Sequence, residues 1–142
     1  MPTAIIDTNV IVAVQSERDQ YHDTAQRIIA GMDSGDLPLG RITNYVLAES
    51  LNLIGERFSH RAATGMLDRL IESAGFEIVH TTKSDFNAGQ ALFRRYEGLT
   101  FVDAITAAHG GRMGIEYLYS FDDDFDAVEG VSRLNSAVDP FA

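Results

Sequence analysis

Four acidic residues stand where a carboxylate could do chemistry: Asp7 after the apolar run Ala4-Ile5-Ile6, Glu49 in an apolar helical stretch, Asp103 at the start of an Ala-rich one, and Asp122 after Tyr117-Leu118-Tyr119-Ser120-Phe121. No lysine or cysteine lies nearby to neutralise them, since Lys83 is the only lysine and cysteine is absent. If folding gathers them, each like-charged pair at ~5 Å and an effective dielectric near ~20 costs roughly 3 kcal/mol. A divalent cation offsets that cost. The histidines, His22, His60, His80 and His109, form no pair at metal-ligand spacing. Hard oxygen donors alone select Mg2+ or Mn2+ over Zn2+. Such ions bridge phosphate oxygens and activate water for in-line attack, so the chemistry is phosphodiester hydrolysis.

Each acid also has a structural reading. Asp103 follows Thr100 by three residues, the spacing of a capping box. Asp7 suits a strand end that caps the next helix. Glu49 has Tyr45, Val46, Asn52 and Leu53 three and four positions away, so it borders the apolar stripe of its helix and needs a partner, a shifted pKa or a cation. Asp122, Asp123, Asp124 and Asp126 read as a solvated charge run. Within that run Asp122 shares a face with Ser120 and Asp123 points away. Asp124 falls where an acid favours a helix N-terminus and is a weaker metal ligand.

The elements that would position these acids follow from hydrophobic spacing. Strands are expected at residues 4–7, 37–39, 76–79, 115–121 and 130–134. Helices are expected at 10–14, 19–35, from Thr43, from Ser59-His60 to Gly75, at 84–96, at 100–109 closed by Gly110-Gly111, and briefly at 124–128. Strands alternating with helices long enough to cross over give an α/β fold, a mainly parallel sheet with helices on both faces. Ligands gather at the carboxyl ends of such strands, where Asp7 and Asp122 fall. The apolar residues Ile28, Ile29, Leu53, Ile54 and Leu67 exceed what a small core needs, and some are expected to meet a second copy or a partner helix.

The chain has 142 residues, 45% of them hydrophobic and 23% charged, which excludes disorder as the main state and suits one domain. Its 11 basic and 21 acidic residues leave a net charge of −10. That excludes nonspecific nucleic-acid binding through a basic patch. The lysine-poor, acidic surface suits a high-salt cytoplasm, where charge repulsion is screened. With no cysteine, no apolar run of membrane-spanning length and no signal-like start, a cytoplasmic protein is expected.

Together, Ile5-Ile6-Asp7-Thr8-Asn9-Val10, Glu49, Val102-Asp103-Ala104 and Ser120-Phe121-Asp122-Asp123-Asp124-Phe125 resemble the PIN-domain ribonucleases, specifically the VapC toxins of VapBC toxin-antitoxin systems. The resemblance covers essentially the whole chain. It implies a single PIN domain over residues 1–142, a three-layer α/β/α sandwich, and Mg2+ or Mn2+ held by Asp7, Glu49, Asp103 and Asp122. It also implies endonucleolytic cleavage of RNA, a homodimer, and inhibition by a VapB-like antitoxin lying over the active site. Thr8 and Ser120 match small hydroxyl positions that orient carboxylates or water, while Asn9 reads as a helix cap. Three alternatives stay open: a PIN nuclease with a non-toxin role in RNA processing, a Mg2+-dependent phosphatase of the haloacid-dehalogenase type, and a non-catalytic acidic binding domain. The phosphatase pattern wants a second Asp where this chain has Asn9, and a later lysine where only Lys83 exists.

Overall fold

The computed structural model describes residues 2–142. Five strands, β1 (Thr3–Ile6), β2 (Leu39–Thr43), β3 (Phe76–Val79), β4 (Tyr117–Tyr119) and β5 (Ser132–Leu134), form one sheet in the order β3-β2-β1-β4-β5. Every pairing is parallel. The helices are α1 (Thr8–Ala13), α2 (His22–Ser34), α3 (Asn44–Arg57), α4 (His60–Glu72), α5 (Lys83–Arg95) and α6 (Phe101–Met113), with a 3-10 turn at Asp123–Ala127 between β4 and β5.

Side chains alternate across the sheet, as the strand period requires. Ala4, Ile6 and Tyr119 enter a core with Val10, Ile11, Ile28, Ile29, Met32, Val46 and Ile54 from α1, α2 and α3. Ile5 and Leu118 enter a second cluster with Leu99, Ala104, Ala107, Phe125 and Val128. Two cores on opposite faces of one sheet give the expected α/β/α layering. At roughly 25 cal/mol per Å2 of apolar area removed from water, this burial is the main force holding the layers together. α5 is tied to α6 by a polar clamp as well. The buried carboxylate of Asp85 accepts from Arg112 Nε at 2.6 Å and Nη2 at 3.1 Å, and contacts His109 Nδ1 at 2.9 Å. Burial alone would raise this carboxyl's pKa, but Arg112 and His109 outweigh it and hold Asp85 well below the usual carboxylate range.

β4 and β5 are shorter than expected, at Tyr117–Tyr119 and Ser132–Leu134 against 115–121 and 130–134, and four further boundaries differ for local reasons. α6 does not stop at Gly110-Gly111 but runs to Met113, and Gly114, at φ +68, caps it. Gly110 serves contact instead: a Cβ there would meet Ile5 Cδ1 at 2.9 Å and the Ile115 carbonyl at 3.2 Å. α2 starts at His22, because Asp19 Oδ1 accepts the Tyr21 N–H at 2.8 Å and folds the preceding residues into a turn. β2 begins at Leu39, not Leu37, whose N–H is bonded back to the Gly31 carbonyl at 2.9 Å. The short helix after β4 is a 3-10 turn starting at Asp123.

The apolar surplus is also smaller than expected. Ile28, Ile29 and Ile54 are fully buried in the core and offer nothing to a partner, while Leu53 and Leu67 are only partly buried. Among the described residues no helix is long and apolar enough to cross a membrane.

Candidate metal centre

The strand order reverses between β1 and β4, which opens a crevice at their carboxyl ends. The register pairs Ile5 with Leu118 and Ile6 with Tyr119, so the next residues, Asp7 and Ser120, lie side by side. Asp7 caps α1: its Oδ1 accepts the Thr8 N–H at 2.8 Å and its Oδ2 accepts the Ser120 hydroxyl at 2.7 Å. Ser120 Oγ in turn accepts the Asp122 N–H at 3.0 Å and Asn9 Nδ2 at 3.3 Å. Asn9 Oδ1 takes the Phe121 N–H at 3.2 Å, so Asn9 is not a helix cap but a brace between α1 and the end of β4.

A cavity of about 280 Å3 opens beside Asp7, and Glu49, Asp103 and Asp122 line it too. Asp103 arrives as the N3 residue of α6, in the capping box with Thr100, so its structural reading and its place in the cavity hold at once. Glu49 arrives from α3, which packs against α6. Thr8 lines the same wall, and its buried Oγ1 has no hydrogen-bond partner. Asp123 and Asp124 are exposed and do not line it. Asp124 instead leans on Gly98, where a Cβ would come within 2.7 Å of its Oδ1. Its carboxyl is pushed up mainly by the charge of Asp122. The Asp122-Asp123-Asp124 carboxylates do converge within 4.8 Å, but two of the three sit in solvent, where acidic groups commonly stand without an ion.

Electrostatics sets the cavity apart from the acidic surface. Asp7 is only 3% exposed, and burial first, then the charge of Asp103, pushes its pKa up to about 7 despite the bonds from Ser120 and Thr8. Asp103 is pushed up to about 6, again mainly by burial, with Asp122 and Glu49 adding to the rise. No Lys, Arg or His side chain pairs with any of the four acids among the described residues. Arg133 is bonded to Asp126 and to the Ser120 carbonyl and feels the charge of Asp122. The set fits a divalent cation on three counts: all its donors are hard oxygens, no basic side chain is paired with them among the described residues, and a buried hydroxyl stands beside them without a partner.

Two charged lining residues were not foreseen from the sequence. Asp19 reaches the cavity from the turn before α2, and Arg57 from the end of α3. Arg57 is exposed and has no ion pair among the described residues. Neither carries a local signal, because each depends on how its segment packs over the β1 and β4 ends.

A PIN-domain family model matches residues 4–131. The 23S rRNA-specific endonuclease VapC20 of Mycobacterium tuberculosis is 32% identical over 124 residues, covering 86% of this chain and 91% of the relative. Its crystal structure, described as that of a sarcin-ricin loop cleaving toxin, superposes with a TM-score of 0.76 at 28% identity, covering 87% of this chain and 93% of that one. VapBC2 from Rickettsia felis, solved with a promoter DNA fragment, gives a TM-score of 0.72 at 15% identity over 94% of this chain and 98% of that one, a likeness of fold alone.

Proposed function

Because the chain belongs to the PIN-domain family and, within it, to the VapC toxins, we propose that it is a divalent-metal-dependent endoribonuclease whose Asp7, Glu49, Asp103 and Asp122 hold Mg2+ or Mn2+. The observation that carries this reading is that four carboxylates line one cavity with no basic side chain paired to any of them among the described residues, and Asp7 is pushed up to about 7. When bound, such an ion supplies charge neutralisation and a polarised water for in-line displacement at phosphorus.

The chain's own residues prepare the rest. Ser120 and the Thr8 N–H fix both oxygens of Asp7, and Asn9 braces the loop that carries Asp122. Glu49 makes no hydrogen bond with any described residue, so its oxygens are free to turn to the ion. Arg57, on the same wall, is the cation that meets a phosphate. Asp124 contributes weakly, through its repulsion with Asp122.

The substrate is RNA, and the protein acts in the cytoplasm as the toxin of a pair whose VapB-like antitoxin blocks this cavity. The 32% identity to VapC20 makes a sarcin-ricin hairpin the first RNA to assay. Purified protein is expected to cut that hairpin with Mn2+ and not in EDTA, and Asp103→Asn is expected to lose cutting while keeping its circular dichroism spectrum. Equal cutting in EDTA would defeat the reading.

A further inference from the structure

Beside the acidic cavity stands an aromatic pair that the catalytic reading does not use. The rings of Tyr21 and Phe121 stack face to face, with centroids 4.3 Å apart and planes within 7° of parallel. Both are fastened to residues of the cavity wall. The Tyr21 N–H is held by Asp19 Oδ1 at 2.8 Å, and the Phe121 N–H by Asn9 Oδ1 at 3.2 Å. Phe121 also lies between Ser120 and Asp122 in the chain and packs against the main core. Tyr21 covers Phe121 yet remains 39% exposed itself. Neither ring lines the cavity, but Tyr21 lies two residues from Asp19 and Phe121 one residue from Asp122, both of which do, so the partly exposed outer ring stands within two residues of the cavity wall.

A ribonuclease with a net charge of −10 and one lysine cannot draw RNA in by phosphate attraction alone. Stacking on an aromatic face needs no cation and works for every base. We propose that Tyr21, backed by Phe121, is a nucleobase-stacking shelf that seats a base adjoining the scissile phosphate. The inference rests on the ribonuclease reading above. Phe121 stiffens the shelf, and its neighbour Asp122 fixes the distance from base to cleaved bond. Tyr21 is thus a substrate-positioning residue, and it helps determine which nucleotide sits across the cavity.

The test pairs protein variants with RNA lacking one base. Steady-state cleavage of the sarcin-ricin hairpin is measured with Mn2+ for wild type, Tyr21→Trp, Tyr21→Leu and Tyr21→Ala. It is repeated on hairpins carrying an abasic sugar at each position flanking the cut. On intact RNA, Tyr21→Leu and Tyr21→Ala are expected to raise KM about tenfold, with the loss concentrated in KM, while Tyr21→Trp keeps the wild-type value. On the hairpin missing the stacked base, wild type and Tyr21→Leu converge to one KM. A purely structural ring would lower activity equally on intact and abasic RNA, and that result overturns the proposal, as does an unchanged KM for Tyr21→Leu on intact RNA. Tyr21→Leu keeps the apolar bulk over Phe121, so it reports even if Tyr21→Ala is poorly folded. Wild type that cuts no RNA overturns the ribonuclease reading and the shelf together, whereas wild type that cuts beside an unaffected Tyr21→Leu overturns the shelf alone.

Discussion

Replacing Asp7 with Asn should invert in its effect on stability as the pH changes, provided the protein is free of metal. Asp7 is raised from 3.8 to about 7 by burial and by the charge of Asp103. Its folded pKa therefore exceeds its unfolded one, and ionisation favours the unfolded chain. Below about pH 4 both states are protonated and there is no penalty; as the pH rises to about 7 the penalty grows to roughly 4 kcal/mol, about three pKa units at 1.36 kcal/mol each. Asn removes that penalty. It also places an amide N–H2 against Ser120 Oγ, which already accepts from Asn9 and Asp122, at a cost of about 1–2 kcal/mol. In EDTA the variant should be about 2 kcal/mol more stable than wild type near about pH 8, and about 1–2 kcal/mol less stable near about pH 4. For 142 residues the gain at high pH is a rise in Tm of roughly 5–10 °C. Urea or thermal melts across that range measure it. Saturating Mn2+ should reverse the order at high pH, because ligand binding stabilises only the chain that binds it. Parallel stability curves for the two proteins in EDTA would refute the reasoning, since Asp7 would then titrate alike folded and unfolded.

Within the acidic run, Asp122→Asn should reduce RNA cleavage most, Asp124→Asn modestly and Asp123→Asn hardly at all, since only Asp122 lines the cavity; rates at limiting and saturating Mn2+ check the ranking. Asp85→Asn should destabilise the fold by roughly 3 kcal/mol, because it removes the charge that pairs with Arg112 and turns an amide N–H2 donor toward Arg112 or His109 in place of an acceptor oxygen. The depressed pKa of Asp85 gives stability present above the ordinary carboxylate pKa and lost as the pH falls below it, so acid titration of wild type against the variant should show the two curves converging toward low pH. Gly110→Ala should cost about 1–3 kcal/mol through the clash with Ile5 and the Ile115 carbonyl. Gly111→Ala, one residue on with nothing within 4 Å of its added Cβ, should instead stabilise by about 1 kcal/mol in urea melts.

The positions of Asp7 and Asp122 were legible because a parallel α/β sheet collects ligands at strand ends, and Asp7 directly follows β1 while Asp122 follows the end of β4 after Ser120 and Phe121. The adjacency of β1 and β4, which brings Asp7 against Ser120, is a matter of strand order, on which local pattern is silent. Glu49 was legible from its helical neighbours Tyr45, Val46, Asn52 and Leu53, which leave a carboxylate on the edge of an apolar stripe. Asn9 was misread because its capping chemistry is local, whereas its partners Ser120 and Phe121 lie more than a hundred residues away. Asp85 drew no notice for the same reason, as His109 and Arg112 meet it only when α5 packs on α6. Gly110-Gly111 looked like a helix stop, but the first of the pair is small to let α6 approach Ile5.

The central claim is that Asp7, Glu49, Asp103 and Asp122 hold the ion that RNA cleavage requires. Anomalous diffraction at the manganese edge, from crystals grown with Mn2+, tests it most directly. The account predicts a peak in the cavity within coordination distance of Asp7 and Asp103, lost in crystals of Asp7→Asn. A peak held only by Asp122, Asp123 and Asp124 on the surface, or one unchanged in Asp7→Asn, would contradict it.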